Sequence, residues 1–452
     1  MEQSVNIPWV LGMDYGMGVN LLNGQVAGKG VEPGDLKGGE GGQVVTYNMQ
    51  LLNTMEELYS SIGISIESSG SYGLFSGDGK FKYSKEAKFN SQSTFLLARC
   101  VVQNPFTQAE EANIKLNAGE LIKQGKTDVF QFRYGDGFVR GMLTGGEFFA
   151  VISITSSNRD EQNTIATSLQ AKYGGFFASA DVSASLDDQT KSKISKNEIR
   201  VSTYQRGGQG DQQGFTKDIE AVMARLQAFP SAVIHNPVPF EVQVANYQTL
   251  ELPEGPNTID IKAQKEALED FARLHIKLMT VRNDIEFLQL HPDYFVNPPN
   301  PTTLNQWNEF ISDQIRELKR QASKCVDSPK DGCGIFPLKL PDGFAMPERT
   351  RDVSGTWQHT TEYDGRQFTA KWTFNPIGGN RYDAQEEGLG NAKGIAVLHG
   401  NHFQIDFTAA GGTTGRYEWD LNADFTIGVG KLLFTSADKD KNLHDSQLIH
   451  IN

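Results

Sequence analysis

Two stretches of the chain alternate apolar and polar residues with the two-residue period of a β-strand. In the first, Ile62, Ile64, Ile66, Gly70, Tyr72 and Leu74 share one parity, and Ser61, Ser65, Glu67, Ser69 and Ser71 the other. A turn signal, Ser76-Gly77-Asp78-Gly79, follows. The parity then switches, and Phe81, Tyr83, Ala87 and Phe89 alternate with Lys80, Lys82, Ser84, Glu86 and Lys88. The pattern predicts a hairpin with one apolar and one charged face. In the second stretch, Asn163 to Thr203, the apolar set is Phe176, Ala178, Ala180, Val182, Ala184 and Leu186, opposed by Ser179, Asp181, Ser183, Ser185 and Asp187. Its return arm keeps the period only at Ile199, Val201 and Thr203, and Gln189 to Glu198 reads as a polar tip. A strand that faces lipid needs this alternation over roughly 9–11 residues. A solvated amphipathic hairpin shows it too, so the pattern alone fixes strands and not their surroundings.

Elsewhere the period is helical. Phe215, Ile219, Val222, Leu226 and Phe229 predict a helix, with Pro230, Pro237 and Pro239 breaking regular structure after it. Phe271, Leu274, Leu278, Val281, Ile285 and Leu288 form a 3,4 seam. Beyond prolines 292, 298, 299 and 301, a second helix offers Trp307, Ile311, Ile315, Leu318 and Ala322, and the two predict an antiparallel pair. From Val353 onward, short aromatic-rich runs are separated by Gly, Asn and Asp turns. Trp357, Trp372, Phe374, Phe403, Ile405, Phe407, Tyr417, Trp419, Phe425 and Ile427 alternate with polar neighbours, which predicts a meander closed as a barrel or sandwich. The organisation expected is therefore α+β: residues 1–255 as one sheet-based unit, 256–334 a helical hairpin, 335–351 a proline-marked linker, and 352–452 a C-terminal all-β domain.

Size and charge narrow the function. A chain of 452 residues exceeds one core. No apolar run approaches the roughly 20 residues of a membrane helix, so any insertion is by barrel strands. The net charge of −13 removes nucleic acid as a partner and simple attraction to anionic lipid as a targeting mode. The start, MEQSVNIPWV, is not a standard signal peptide, which leaves release by another route, by lysis, or a mature form. Cys325 and Cys333 lie in one loop, bridged or free, and Cys100 falls on a predicted strand.

The decisive motif is Tyr134-Gly135-Asp136-Gly137-Phe138, then Gly145-Gly146 and the strand Glu147 to Thr155; a second pair, Gly207-Gly208, closes a later strand. Aromatic-Gly entry, Phe and Gly pair at this spacing resemble the signature of the membrane-attack-complex/perforin (MACPF) family, in particular its bacterial members. Asp136 and Gly137 stand where the family usually has a small hydroxylated residue and a His. The Gly-rich opening from Ile7 to Val31, with the cluster Gly38, Gly39, Gly41 and Gly42, resembles the family's N-terminal strand and loop. The resemblance covers about the first 255 residues. It implies a bent, twisted antiparallel sheet flanked by helical clusters, with Gly145-Gly146 as the point where the sheet opens. It also implies a secreted or released monomer that binds a target-cell membrane, forms a homo-oligomeric ring and sends both alternating stretches into a shared barrel. The C-terminal domain would select the target through a receptor glycan, lipid or protein. By analogy this is a virulence toxin against a eukaryotic host such as an insect.

No catalytic or cofactor motif competes. No GxSxG, P-loop or dinucleotide fingerprint sits at a strand–helix junction. His399-Gly400-Asn401-His402 reads as a two-residue hairpin turn, and Asp438 to Asn442 as an exposed turn. A non-enzyme without cofactor or metal is expected. The rival from another class is a non-lytic adhesion or carbohydrate-binding protein on the same scaffold.

Overall fold

Strand Gly137–Thr155 is the axis of the fold in the computed structural model. The structure describes residues 4–64, 79–156, 159–174, 186–208, 212–216, 218–252, 262–327, 333–350, 352–378, 380–422, 424–436 and 442–451. Along its first part the axial strand pairs antiparallel with Val238–Asn246 on one edge and, at Gly141 and Met142, with Thr107–Ala109 on the other. Along its second part the partners are Glu198–Arg206 and Thr94–Gln103. Strand Val44–Leu52 extends the sheet beyond Thr94–Gln103, and the short Gln212–Thr216 lies against Glu198–Arg206.

Both faces of the sheet are covered, which is why Glu147 to Thr155 is a nearly continuous apolar run. Phe149 and Val151 face one core, shared with helix Gly79–Glu86 and the helical pair. Phe148, Ala150, Ile152 and Ile154 face the other, under helices Arg159–Gly174 and Ile219–His235.

The last of these helices corrects the expectation. It starts at Ile219, with Asp218 capping the Ala221 amide, and Phe215 belongs to the preceding strand. It also continues through Pro230 to His235. A mid-helix proline costs about 3 kcal/mol. Burial of Phe229 and Val233 on either side of it repays that cost.

The helical pair is Lys262–Leu290 and Pro301–Asp327. Gln264 reaches the Cys325 carbonyl at one end and Gln289 reaches Asn305 at the other, so the helices are antiparallel. Cys325 and Cys333 are bridged, and Cys100 is a buried thiol on strand Thr94–Gln103. Residues Gly355–Ile451 form a closed antiparallel barrel of eight strands in sequence order. Trp357, Trp372, Phe374, Phe403, Ile405, Tyr417 and Trp419 fill it, whereas Ile427 points outward. The turn Gly400-Asn401 joins two of its strands, as expected from the sequence, and the 438–441 part of the other predicted turn lies outside the described residues. No described helix is long and apolar enough to cross a membrane.

Candidate functional site

Four strands fix the geometry. Val44–Leu52, Thr94–Gln103, Gly137–Thr155 and Glu198–Arg206 are sheet neighbours in that order, with Leu52 opposite Phe95, Thr94 opposite Ile154, and Thr155 opposite Glu198. The connections 53–93 and 156–197 therefore leave the same end of one sheet. Each holds about 40 residues, twice what two membrane-crossing strands require.

At the middle of the axial strand both neighbours change, and the glycines stand there. Gly145 pairs with Gln103 on one edge and Val238 on the other, and has φ +142°. A Cβ at Gly145 would lie 1.9 Å from the Val102 carbonyl oxygen. Gly207, φ +83°, would place its Cβ 2.7 Å from the Gly145 carbonyl oxygen and 3.2 Å from the Gly146 Cα. Gly146 lets helix Ile219–His235 approach, since a Cβ there would meet Val233 at 2.7 Å and Phe229 at 2.9 Å. The Gly208 amide donates to Asn236. Gly145, Gly146, Gly207 and Gly208 thus form one seam.

The other signature residues sit at the far end of the strand. Tyr134 closes helix Thr127–Tyr134, and its carbonyl accepts from the Tyr247 hydroxyl at 2.6 Å. Gly135, φ +73°, packs on the Val19 backbone, and Gly137 begins the axial strand beside Val244 and Ala245. Phe138 is buried against Tyr247. Asp136 accepts from the Leu21 amide and from Gln131, and burial raises its pKa.

The first alternating stretch is not a strand where it is described. Phe81 and Tyr83 lie on helix Gly79–Glu86, and Ile62, Ile64, Phe81, Tyr83 and Phe89 are all buried in the core below the sheet. Ile66, Tyr72 and Leu74 lie outside the described residues. Lys80, assigned by the alternation to a charged face, is buried instead. Its Nζ donates to Glu147 Oε1 at 2.6 Å, with the side chains 3% and 4% exposed. Glu147 directly follows the Gly pair, and the Tyr83 hydroxyl donates to the Ser202 carbonyl. Helix Gly79–Glu86 is thereby bonded to two of the four strands. Burial also raises the pKa of nearby Glu241, with Lys80 and Arg99 opposing the shift.

In the second stretch, the polar segment is helix Asp188–Lys196, capped by Asp187, and not an open tip. Leu186, Ile199 and Val201 are buried on the opposite face of the sheet from helix Gly79–Glu86. Phe176, Ala178, Ala180, Val182 and Ala184 lie outside the described residues.

A polar node, which the sequence pattern did not single out, sits at the end of the sheet where both connections begin or finish. Ser93 and Thr155 hydroxyls are 2.8 Å apart. Buried Gln162 donates to the Ser156 carbonyl at 2.8 Å and accepts from Thr94. Asp284, from the helical pair, accepts from the Ser91 amide and hydroxyl, and Asn283 donates to the Phe89 carbonyl. Arg349, from the linker, donates to the carbonyls of Gln92 and Ser156, both at 2.5 Å. Beside it, a cleft of about 280 Å³ separates Asp160, Glu161 and Lys193 from the barrel's Asn380, Arg381 and Tyr382. The barrel is therefore docked at the end from which both connections leave. Glu147 could have been found as the one charge in an apolar run, which demands a partner; Lys80, Gln162 and Arg349 carry no such signal.

No protein-family model and no curated protein sequence matches this chain. Solved structures are similar to it. A stonustoxin structure is 10% identical with a TM-score of 0.41, over 72% of this chain and 41% of that one. GNIP1Aa from Chromobacterium piscinae is 10% identical with a TM-score of 0.35, over 99% and 83%. A cell invasion protein with a MAC/Perforin domain from Bacteroides thetaiotaomicron is 11% identical with a TM-score of 0.25, over 47% and 53%. This chain spans less than half of the stonustoxin chain it matches. Among the described residues no cluster of His, Cys, Asp and Glu could hold a metal.

Proposed function

We propose that this chain is a pore-forming protein of the perforin-like type, acting without catalysis. A released monomer reaches a target-cell membrane, assembles into a ring and extends residues 53–93 and 156–197 as two hairpins of a shared transmembrane barrel. The observation that carries the reading is that both connections emerge from the same end of four consecutive antiparallel strands. Extending those strands through that end yields two hairpins per subunit without changing the sheet order. A closed barrel then satisfies every backbone group in lipid. Assembly has edges to use. Strand Val44–Leu52 pairs on one side only among the described residues, and at the opposite edge the five-residue strand Gln212–Thr216 covers Val201 to Gln205. A contact between such different edges is head-to-tail, the kind that closes rings. The C-terminal barrel, beside the departing segments, would select the target through a glycan, lipid or protein.

The test is dye release from liposomes of target-cell lipid extract, with electron microscopy of the same sample. Release with rings is the expected result. Binding with neither would replace this reading by non-lytic adhesion on the same scaffold.

A further inference from the structure

The linker before the barrel does more than connect. Residues Glu348 to Thr350 pair with Tyr294 to Val296: the Val296 amide donates to the Glu348 carbonyl and the Thr350 amide to the Tyr294 carbonyl, each at 2.9 Å. The same 293–296 segment is fastened to the barrel. Val296 packs on the barrel core, Asn380 donates to the Asp293 carbonyl, and His399 lies 3.0 Å from the Asp293 carboxylate. Linker, segment and barrel thus form one unit, and Arg349 is its reach into the sheet.

The two carbonyls that Arg349 holds have no relation in sequence. Gln92 ends the connection that contains helix Gly79–Glu86, and Ser156 begins the connection that contains Arg159–Gly174. One planar guanidinium, whose donors have fixed spacing, bridges both. It lies 5.8–5.9 Å from the ring centroids of Phe287, Tyr294 and Phe295. Among the described residues no carboxylate pairs with it, and burial, then the charge of Arg159, pulls its pKa down to about 10. A half-buried cation offset only by carbonyls and ring faces gains solvation when it is withdrawn. Such a contact holds while its frame is fixed and is lost once the frame moves.

We propose that Arg349 is an autoinhibitory clamp: the barrel unit uses it to hold the roots of both membrane-entering connections, and displacement of that unit frees the two together. The proposal rests on the pore-forming reading for what the connections do after release, but not for the clamp itself.

Hydrogen exchange on the full-length monomer separates the two. In Arg349→Ala, amides in peptides 84–93 and 156–174 should exchange about tenfold faster or more, the scale of one lost charge-assisted hydrogen bond. Barrel strands Gly355–Tyr363 and Leu443–Ile451 should exchange as in the wild type, which also reports folding. Faster exchange at one root only, or at neither, overturns the clamp. Arg349→Met covers the case of an alanine variant that does not fold. Its stem fills similar space but carries no N–H donor for either carbonyl, so wild-type protection at both roots in that variant would also overturn the proposal. Release from liposomes of target-cell lipid extract is measured in parallel, where the alanine variant should act faster than wild type. Faster exchange at both roots, with binding but no release from either protein, leaves the clamp standing and removes the pore-forming reading.

Discussion

Lys80 and Glu147 are the pair on which the resting position of helix Gly79–Glu86 turns. Two charges so deeply buried stabilise little as a pair, because desolvation offsets their attraction, yet removing one leaves the other's charge buried without this offset. Lys80→Met or Glu147→Gln should therefore cost about 3–5 kcal/mol in urea unfolding, whereas Lys80→Met with Glu147→Leu should recover most of that loss. Single variants as stable as the wild type would remove the latch role. At this scale the sequence was legible where backbone geometry demanded glycine. Gly145 and Gly207 were visible because no other residue fits a positive φ against a neighbouring carbonyl. Lys80 was not, because a lysine on an alternating segment looks solvated until the helix turns it under the sheet.

The elements that cover the sheet carry a pH response. His275, on helix Lys262–Leu290, is buried with its ring 6.4 Å from that of Phe81, and neither ring nitrogen has a hydrogen-bond partner among the described residues. Burial, then the charges of Lys319, Lys85 and Arg282, lowers its pKa to about 3. A depressed histidine contributes stability that is full above its ordinary pKa of 6.5 and is lost as pH falls toward the folded value. Between pH 7.5 and 5, displacement of helix Gly79–Glu86 should become more favourable through this group, by at most roughly thirtyfold, the limit for a fully solvated ring. Asp284 acts in the opposite sense, since burial pushes its pKa up to about 6. His275→Phe isolates the effect: its protection of peptide 79–86 should fall less with acid than the wild type's does. Equal pH slopes would assign the response elsewhere. Element type was readable where one period dominated, as in the helical pair, whose seam residues Phe271, Leu278, Ile285 and Leu288 are all buried. It was misjudged at Phe81 to Glu86, where alternation and a helix face compete over six residues. There, packing against Phe149 and Tyr204 supports the helix.

For the whole molecule, the proposal requires that the five-residue strand Gln212–Thr216 leave its place before a second copy can pair with Glu198–Arg206. Thr203 and Gly214 are directly opposite each other, within range of a cross-strand disulfide. With cysteines at both positions, the oxidised protein should bind liposomes but form no rings, and reductant should restore them. Rings from the oxidised protein would mean that assembly uses another edge. The barrel's closure and aromatic interior were legible from turn spacing and alternation. Its docking on the segment after helix Lys262–Leu290 was not, because that contact depends on single polar side chains such as Asn380 and His399 meeting Asp293.

The two connections are packed on opposite faces of one sheet, and this has a kinetic meaning. On the proposed reading the stored form persists as long as either covering stays in place, so its lifetime is set by the slower of two local openings. A substitution that loosens one face should leave that lifetime almost unchanged while the other face still holds. Loosening both should shorten it by far more than the two separate effects combined.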